Sequence, residues 1–328
     1  MAASHLSVES LPLQLQKYET MQLRASLADR PPYRKFLILV GLTLVFAVLL
    51  TGIGAGLANA LFGVDLMNDP SVYDKGVQPG IVGAFRLLQS LAAIGTFILP
   101  ALLAAYLFSS NSKAYLGLDK KAPVPSVIMV FLLLIIGIPF INWMTFINQG
   151  MHLPASLKSV EDWMKSSEEQ ASHITEILLG TGTLGDLFSN LFVIAVLPAI
   201  GEELFFRGIV QKQFQELANN RTAAIVLTSV LFSALHMQFF GFIPRFVLGM
   251  LLGFLYAWSG SIWLSMIAHF INNAGAVILT WLLTRNNSGV NPDTIGIEPG
   301  QEMLLGISVF MSLAGVWFLK KNLEAKGR

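Results

Sequence analysis

Three clusters of polar side chains interrupt an otherwise apolar sequence, and each holds residue types that can move a proton or bind a metal. The first is Gly201-Glu202-Glu203-Leu204-Phe205-Phe206-Arg207-Gly208, which follows Pro198 at the end of a strongly apolar run. On a helix, Glu203 and Arg207 lie one turn apart with the acid N-terminal, the better order for an ion pair. Glu202 then points about 100° away around the same helix. One carboxylate is neutralised by the guanidinium, and its neighbour is left as a base held in place by that pair. A helix end with solvated charges would produce the same residues. The second cluster, Phe232-Ser233-Ala234-Leu235-His236, sets an imidazole among apolar neighbours. Charging it there is costly, so the neutral form is expected, which accepts a proton or ligates a metal. The plain alternative is a core histidine bonded to a backbone carbonyl. In the third cluster, His269-Phe270-Ile271-Asn272-Asn273, His269 and Asn273 share a helix face and can address one point, with Asn272 a possible substitute. Hydrogen bonding between helices would account for these residues equally well.

The elements that must carry these clusters are membrane spans. Of 328 residues, 54% are hydrophobic and 12% charged, where soluble domains carry about 25% charged residues. Apolar stretches run over 36–61, 80–108, 125–148, 186–206, 222–240, 244–258, 262–284 and 303–319, apolar on all faces and without the alternation of a membrane barrel. The expected fold is therefore an all-α polytopic membrane bundle of about eight transmembrane helices. Fifteen of the 21 Lys and Arg residues fall on one side of this map, so both termini are expected to be cytoplasmic. Residues 1–35 read as a cytoplasmic tail, 321–328 as a second one, and the span region 36–320 as one domain. The polar loop 149–184 interleaves Glu161, Asp162, Glu168, Glu169 and Glu176 with Trp163, Met164, Ile174 and Ile177, the pattern of an interfacial or lid helix. Arg86 is expected to snorkel from its span, and His5, His152 and His173 to be solvated. With no cysteine there is no disulfide, thiolate nucleophile or Cys-ligated zinc. A net charge of +1 gives no basic field for nucleic acid.

Depth decides whether the clusters can meet. His236 lies about 21 Å in from the inner end of the fifth stretch, and His269 about 10 Å from the start of the seventh. The short sixth stretch removes the mismatch if the Ser259-Gly260-Ser261 turn is recessed. Glu202 reaches the same depth if its helix continues past Arg207 towards Leu217. Phe246-x-x-Gly249-x-x-x-Gly253 has the small-residue spacing that lets helix backbones approach closely.

The order Glu-Glu-x-x-x-Arg, Phe-x-x-x-His, Phe-x-x-Gly-x-x-x-Gly with a later Ser, and His-x-x-x-Asn, all within residues 202–273, resembles the CPBP family of intramembrane proteases. That family includes CAAX prenyl endopeptidases and bacteriocin-processing and self-immunity (Abi) proteins. The resemblance covers residues 186–284 and implies a multi-pass hydrolase of the bacterial plasma membrane acting on peptides or membrane proteins. Glu202 would match the catalytic glutamate, Glu203 and Arg207 the rest of the first motif, and His236, His269 and Asn273 the other polar site positions. Two chemistries fit. In one, His236 and His269 ligate a divalent metal, zinc by donor type, with a carboxylate or Asn273 and a water completing an open site. In the other, His236 assists Glu202 in activating water while His269 and Asn273 stabilise the oxyanion. A non-catalytic immunity-type binding factor or a proton-coupled transporter is the rival reading, since intramembrane Glu and His also mark proton pathways.

Overall fold

The computed structural model describes residues 23–180, 182–286 and 291–326, and every regular element among them is helical. Most of the tail expected over 1–35, with His5, lies outside the described residues. Where it is described, Ala25 and Leu27 donate their N–H groups to the carbonyls of Tyr106 and Leu107. Helix α1 then begins at Pro32 (Pro32–Phe62), with proline in the first turn, where its missing N–H costs nothing.

The remaining helices follow in order as α2 (Pro79–Phe108), α3 (Ser112–Leu116), α4 (Val124–Ile136), α5 (Ile138–Gln149), α6 (Lys158–Leu179), α7 (Leu184–Ala218), α8 (Arg221–Leu235), α9 (Phe242–Ser259), α10 (Ile262–Arg285) and α11 (Glu302–Lys326). Six helical segments are long and apolar enough to cross a membrane, or seven if the bent α4–α5 pair counts as one span. The 51° bend of that pair falls at Gly137 and Pro139, residues that break a helical ladder.

The expectation of eight spans is corrected at the fifth stretch. Apolar sequence continues over 222–240, but α8 stops at Leu235 after 15 residues. At 1.5 Å per residue it is about 22 Å long, short of a hydrocarbon layer of about 30 Å. Met237 takes a positive φ of 54°, which turns the chain, and Phe239–Gly241 forms a short 3-10 turn leading into α9. The segment expected to be short, 244–258, is instead part of a 21-residue helical stretch, Phe239–Ser259. The half-length helix is the one that ends at a site histidine.

Helix α7 does continue past Arg207, reaching Ala218, and it carries two wide π-turns, Leu191–Val196 and Phe206–Val210. Helix α2 has another at Ile94–Ile98. The π-turns at Ile94–Ile98 and Leu191–Val196 each end two residues before a proline, Pro100 and Pro198. A proline ring collides with the carbonyl four residues back, and an extra residue in the preceding turn opens room for it.

Around α7 the core is made by Phe205, Phe206 and Ile209 of that helix, Phe232 of α8, Ile262 and Met266 of α10, Leu39 of α1 and a run of alanines on α2. Close helix approach rests on missing side chains. A Cβ on Gly95 would lie 2.5 Å from the Phe46 carbonyl oxygen and 2.9 Å from Leu50 Cβ. We therefore expect Gly95→Val to force α1 and α2 apart and to destabilise the detergent-solubilised protein by about 1–3 kcal/mol. Gly41→Ala, where a Cβ meets nothing within 4 Å, should leave the thermal melting curve in place.

Candidate active site

Glu203 and Arg207 form the expected ion pair, Nη1 to Oε1 at 3.0 Å, and both side chains are fully excluded from solvent. Two unpaired charges at this depth would cost several kcal/mol each, so their partners define the site. The guanidinium donates a second bond from Nη2 to the Gly249 carbonyl of α9 at 2.9 Å and lies over the Phe232 ring at 4.8 Å. A Cβ at position 249 would come within 3.1 Å of Ser229 Cβ and 3.3 Å of Phe232 Cδ1, which is why glycine stands where this carbonyl must be reached. One turn further along both helices, Gln211 Nε2 meets the Gly253 carbonyl at 3.3 Å.

Glu203 also holds a second partner that sequence spacing does not reveal. Its Oε1 accepts a hydrogen bond from His269 Nδ1 of α10 at 2.9 Å. His236 is fixed in a similar way, Nδ1 donating to the Phe232 carbonyl at 2.7 Å. Both imidazoles therefore turn Nε2 towards Glu202. Its Oε2 lies 3.9 Å from His236 Nε2 and 4.0 Å from His269 Nε2, and it is buried without a hydrogen-bond partner among the described residues. Phe232 forms the wall between them, its ring 4.9 Å from that of His236 and 6.0 Å from that of His269.

Asn273 is placed differently from the other site candidates. Its Nδ2 donates to the Ile194 carbonyl of α7 at 3.0 Å, and its Oδ1 accepts from Asn272. Pro198 offers no N–H to the turn containing Ile194, so the Asn273 amide supplies a donor to backbone that the proline loosens. Arg86, expected to snorkel, instead binds Asp186 Oδ1 at 2.8 Å and Asn190 Oδ1 at 3.0 Å, joining α2 to α7. His152 meets Glu161, and His173 meets the Tyr73 carbonyl.

The turn carrying His236 is gripped from outside α8. Asn148 of α5 donates to the Phe239 carbonyl and accepts from the Ile243 N–H, while Glu168 of α6 accepts from the Phe240 N–H. Trp163 packs its ring 5.3 Å from that of Phe239. The helix expected in the 149–184 loop is therefore α6, and it is docked beside the site. Its first turns are tied down at Glu161, whose carboxyl is held down to about 2 by Lys165, His152 and the Leu153 N–H. Asn148 carried no sequence signal beyond being a polar residue in an apolar stretch.

Two imidazoles and a carboxylate are suitable ligands for zinc, but their spacing is wide for it. Bonds of about 2.0 Å in a tetrahedron bring neighbouring ligand atoms to about 3.3 Å, well inside the 3.9 and 4.0 Å found here. Among the described residues no three His, Asp or Glu side chains are grouped so that they could hold a metal ion.

Residues 185–275 match the family model of Rce1-like proteins, described as type II CAAX prenyl endopeptidases. This segment resembles the Rce1-like proteins. The match supports the CPBP/CAAX protease family and, with the apolar helices, a multi-pass integral membrane protein. It contains all six site candidates. A relative from Bacillus subtilis (strain 168), the "Uncharacterized protein YpbD", is 30% identical over 89 residues, which cover 26% of this chain and 42% of that protein. The chain thus spans under half of that relative's length. No solved structure matches.

Removing half of the buried pair should be worse than removing all of it. Arg207→Met leaves the Glu203 carboxylate buried with only His269 Nδ1 against it, and we expect a loss of about 3–5 kcal/mol. The double variant Glu203→Leu/Arg207→Met should regain most of the thermal stability in detergent; an equally unstable double variant would refute this view of the pair.

Proposed function

We propose that this protein is an intramembrane endopeptidase of the CAAX type, in which Glu202 activates a water held between its carboxylate and the two imidazoles. The observation that carries the reading is the unpartnered Glu202 Oε2 facing both Nε2 atoms. A carboxylate and an imidazole lone pair are acceptors, so the gap needs a donor, and water supplies two.

In the proposed reaction the water oxygen attacks the scissile carbonyl carbon while Glu202 takes its proton. His236, its Nδ1–H committed to the Phe232 carbonyl, orients the water through the Nε2 lone pair. The displaced carbonyl electrons form an oxyanion, which receives a hydrogen bond from His269 Nε2–H. Glu202 then passes its proton to the departing amine as the C–N bond breaks. The proposed step requires a proton on both nitrogens of His269, with Nδ1 held against Glu203 at 2.9 Å. Asn273 acts from the second side of α10 by holding the Ile194 turn of α7, and thereby the approach to Glu202.

The substrate is a peptide or membrane protein reaching the site through the bilayer. A farnesylated peptide ending in Cys and three further residues, and the same peptide without the lipid, are the first probes. With either as substrate, Glu202→Gln should lower kcat about 10²- to 10⁴-fold, the ordinary range for a general base, with melting unchanged. Hydrolysis by Glu202→Gln at the parental rate would end the proposal, as would failure of the parental protein to cleave any membrane peptide in a screen. Exhaustive dialysis against a chelator should leave cleavage intact. Activity lost on dialysis and restored by zinc would replace the bridging water with a metal centre.

A further inference from the structure

The end of the bundle where α7 stops and α8 starts contains a cavity of about 580 Å³ that takes no part in the proposed reaction. Its lining includes Gln211, Lys212 and Glu216 of α7, Arg221 at the start of α8, and Tyr256 and Gly260 around the end of α9. Lys120 adds a further cation at the rim, since its Nζ lies 2.8 Å from where a Cβ on Gly260 would stand. Three cations thus share this end of the bundle with two carboxylates, Glu216 in the lining and Asp119, which acts on Lys212 and Tyr256 from nearby.

The cations are not used up within the protein. Lys212 Nζ is held over the ring of Tyr115 at 4.4 Å and 5.8 Å from that of Tyr256, and neither it nor Arg221 has an acidic partner within salt-bridge distance among the described residues. An ammonium fixed between aromatic faces keeps its direction without neutralising its charge. Gln211 closes the floor, 2% exposed and with its Nε2 committed to Gly253. A ligand that satisfies this cavity brings an anion to Lys212 and Arg221.

We propose that the cavity binds the headgroup of an anionic phospholipid, with phosphatidylglycerol as the type. Its phosphodiester supplies the anion. The location favours a lipid source: the lining sits at the ends of α7, α8 and α9, where apolar helices give way to Lys120, Lys212 and Arg221. Basic pockets between helix ends are where anionic headgroups are concentrated and held.

The test is native mass spectrometry of the full-length protein released from micelles holding phosphatidylglycerol and phosphatidylcholine of identical acyl chains. Phosphatidylglycerol should be retained preferentially. Lys212→Gln and Arg221→Gln should each reduce that retention about fivefold, Lys212→Arg should preserve it, and Glu216→Gln should raise it. Equal retention of the two lipids by the parental protein, or charge-removing variants that bind as the parent does, would overturn the site. If deacylated glycerophosphoglycerol or inorganic phosphate displaces the lipid at equal concentration, the ligand is a soluble phosphate and the lipid assignment fails. Displacement by a short peptide carboxylate would hand the cavity to substrate and reject it likewise. None of these readouts depends on peptide cleavage, so they stand or fall apart from the proposed activity.

Discussion

The rest of the site depends on one buried ion pair. Glu203 and Arg207 lie one turn apart on α7, both wholly removed from solvent, in a protein whose surroundings offer few alternative partners. Desolvating them is expensive, and their mutual attraction offsets it only when the remaining donors and acceptors are met. Those requirements are what tie the bundle together. Arg207 needs a second acceptor and finds the Gly249 carbonyl on α9, it needs a polarisable cover and finds Phe232 on α8, and Glu203 takes the Nδ1 proton of His269 on α10. Three neighbouring helices are thereby registered against α7 by the satisfaction of two charges.

Registration of this kind is demanding of backbone shape. Gly249 and Gly253 let α9 come close enough for its carbonyls to be reached by Arg207 and Gln211, and a methyl group at either position would meet Ser229, Phe232 or Ile225 at 3.3 Å or less. The π-turn at Phe206–Val210 places Arg207 in a stretch where the helix is locally widened. Such turns are rare and recur at functional sites. Opposite, α8 ends after 15 residues, so His236 sits at a helix end inside the structure, its turn pinned by Asn148 and Glu168 from other helices.

The sequence was informative wherever a local rule applied. The i,i+4 spacing of Glu203 and Arg207 and the close-packing glycines of α9 follow from residues within one or two turns of each other, while the extension of α7 past Arg207 was permitted by the sequence without being required. The convergence of Glu202, His236 and His269 was legible from their order, whereas the depth reasoning leaned on a short 244–258 segment that the structure replaces with a full-length helix. What could not be read were interactions decided by tertiary position. Nothing local distinguishes Asn273 facing a substrate from Asn273 facing the Ile194 carbonyl, or says that His269 will spend its Nδ1 on Glu203. The early end of α8 was hidden because hydropathy is continuous from 222 to 240, and the break is made by Met237 adopting a positive φ that its residue type does not announce. Arg86 was misread for a related reason: its partners, Asp186 and Asn190, are about a hundred residues away.

The two histidines look equivalent in sequence, and their Nδ1 partners separate them. A backbone carbonyl can only accept, so His236 presents Nε2 as a lone pair whenever the ring is neutral, and the same is true of His269 opposite a carboxylate. The difference lies in what each Nδ1 meets. His269 has Glu203 at 2.9 Å on one nitrogen and Glu202 at 4.0 Å on the other, whereas His236 has a neutral carbonyl on one and Glu202 at 3.9 Å on the other. In the proposed reaction, that asymmetry makes one imidazole a donor towards developing charge and leaves the other as an acceptor for the attacking water, a division of labour set by what each ring meets on its far side.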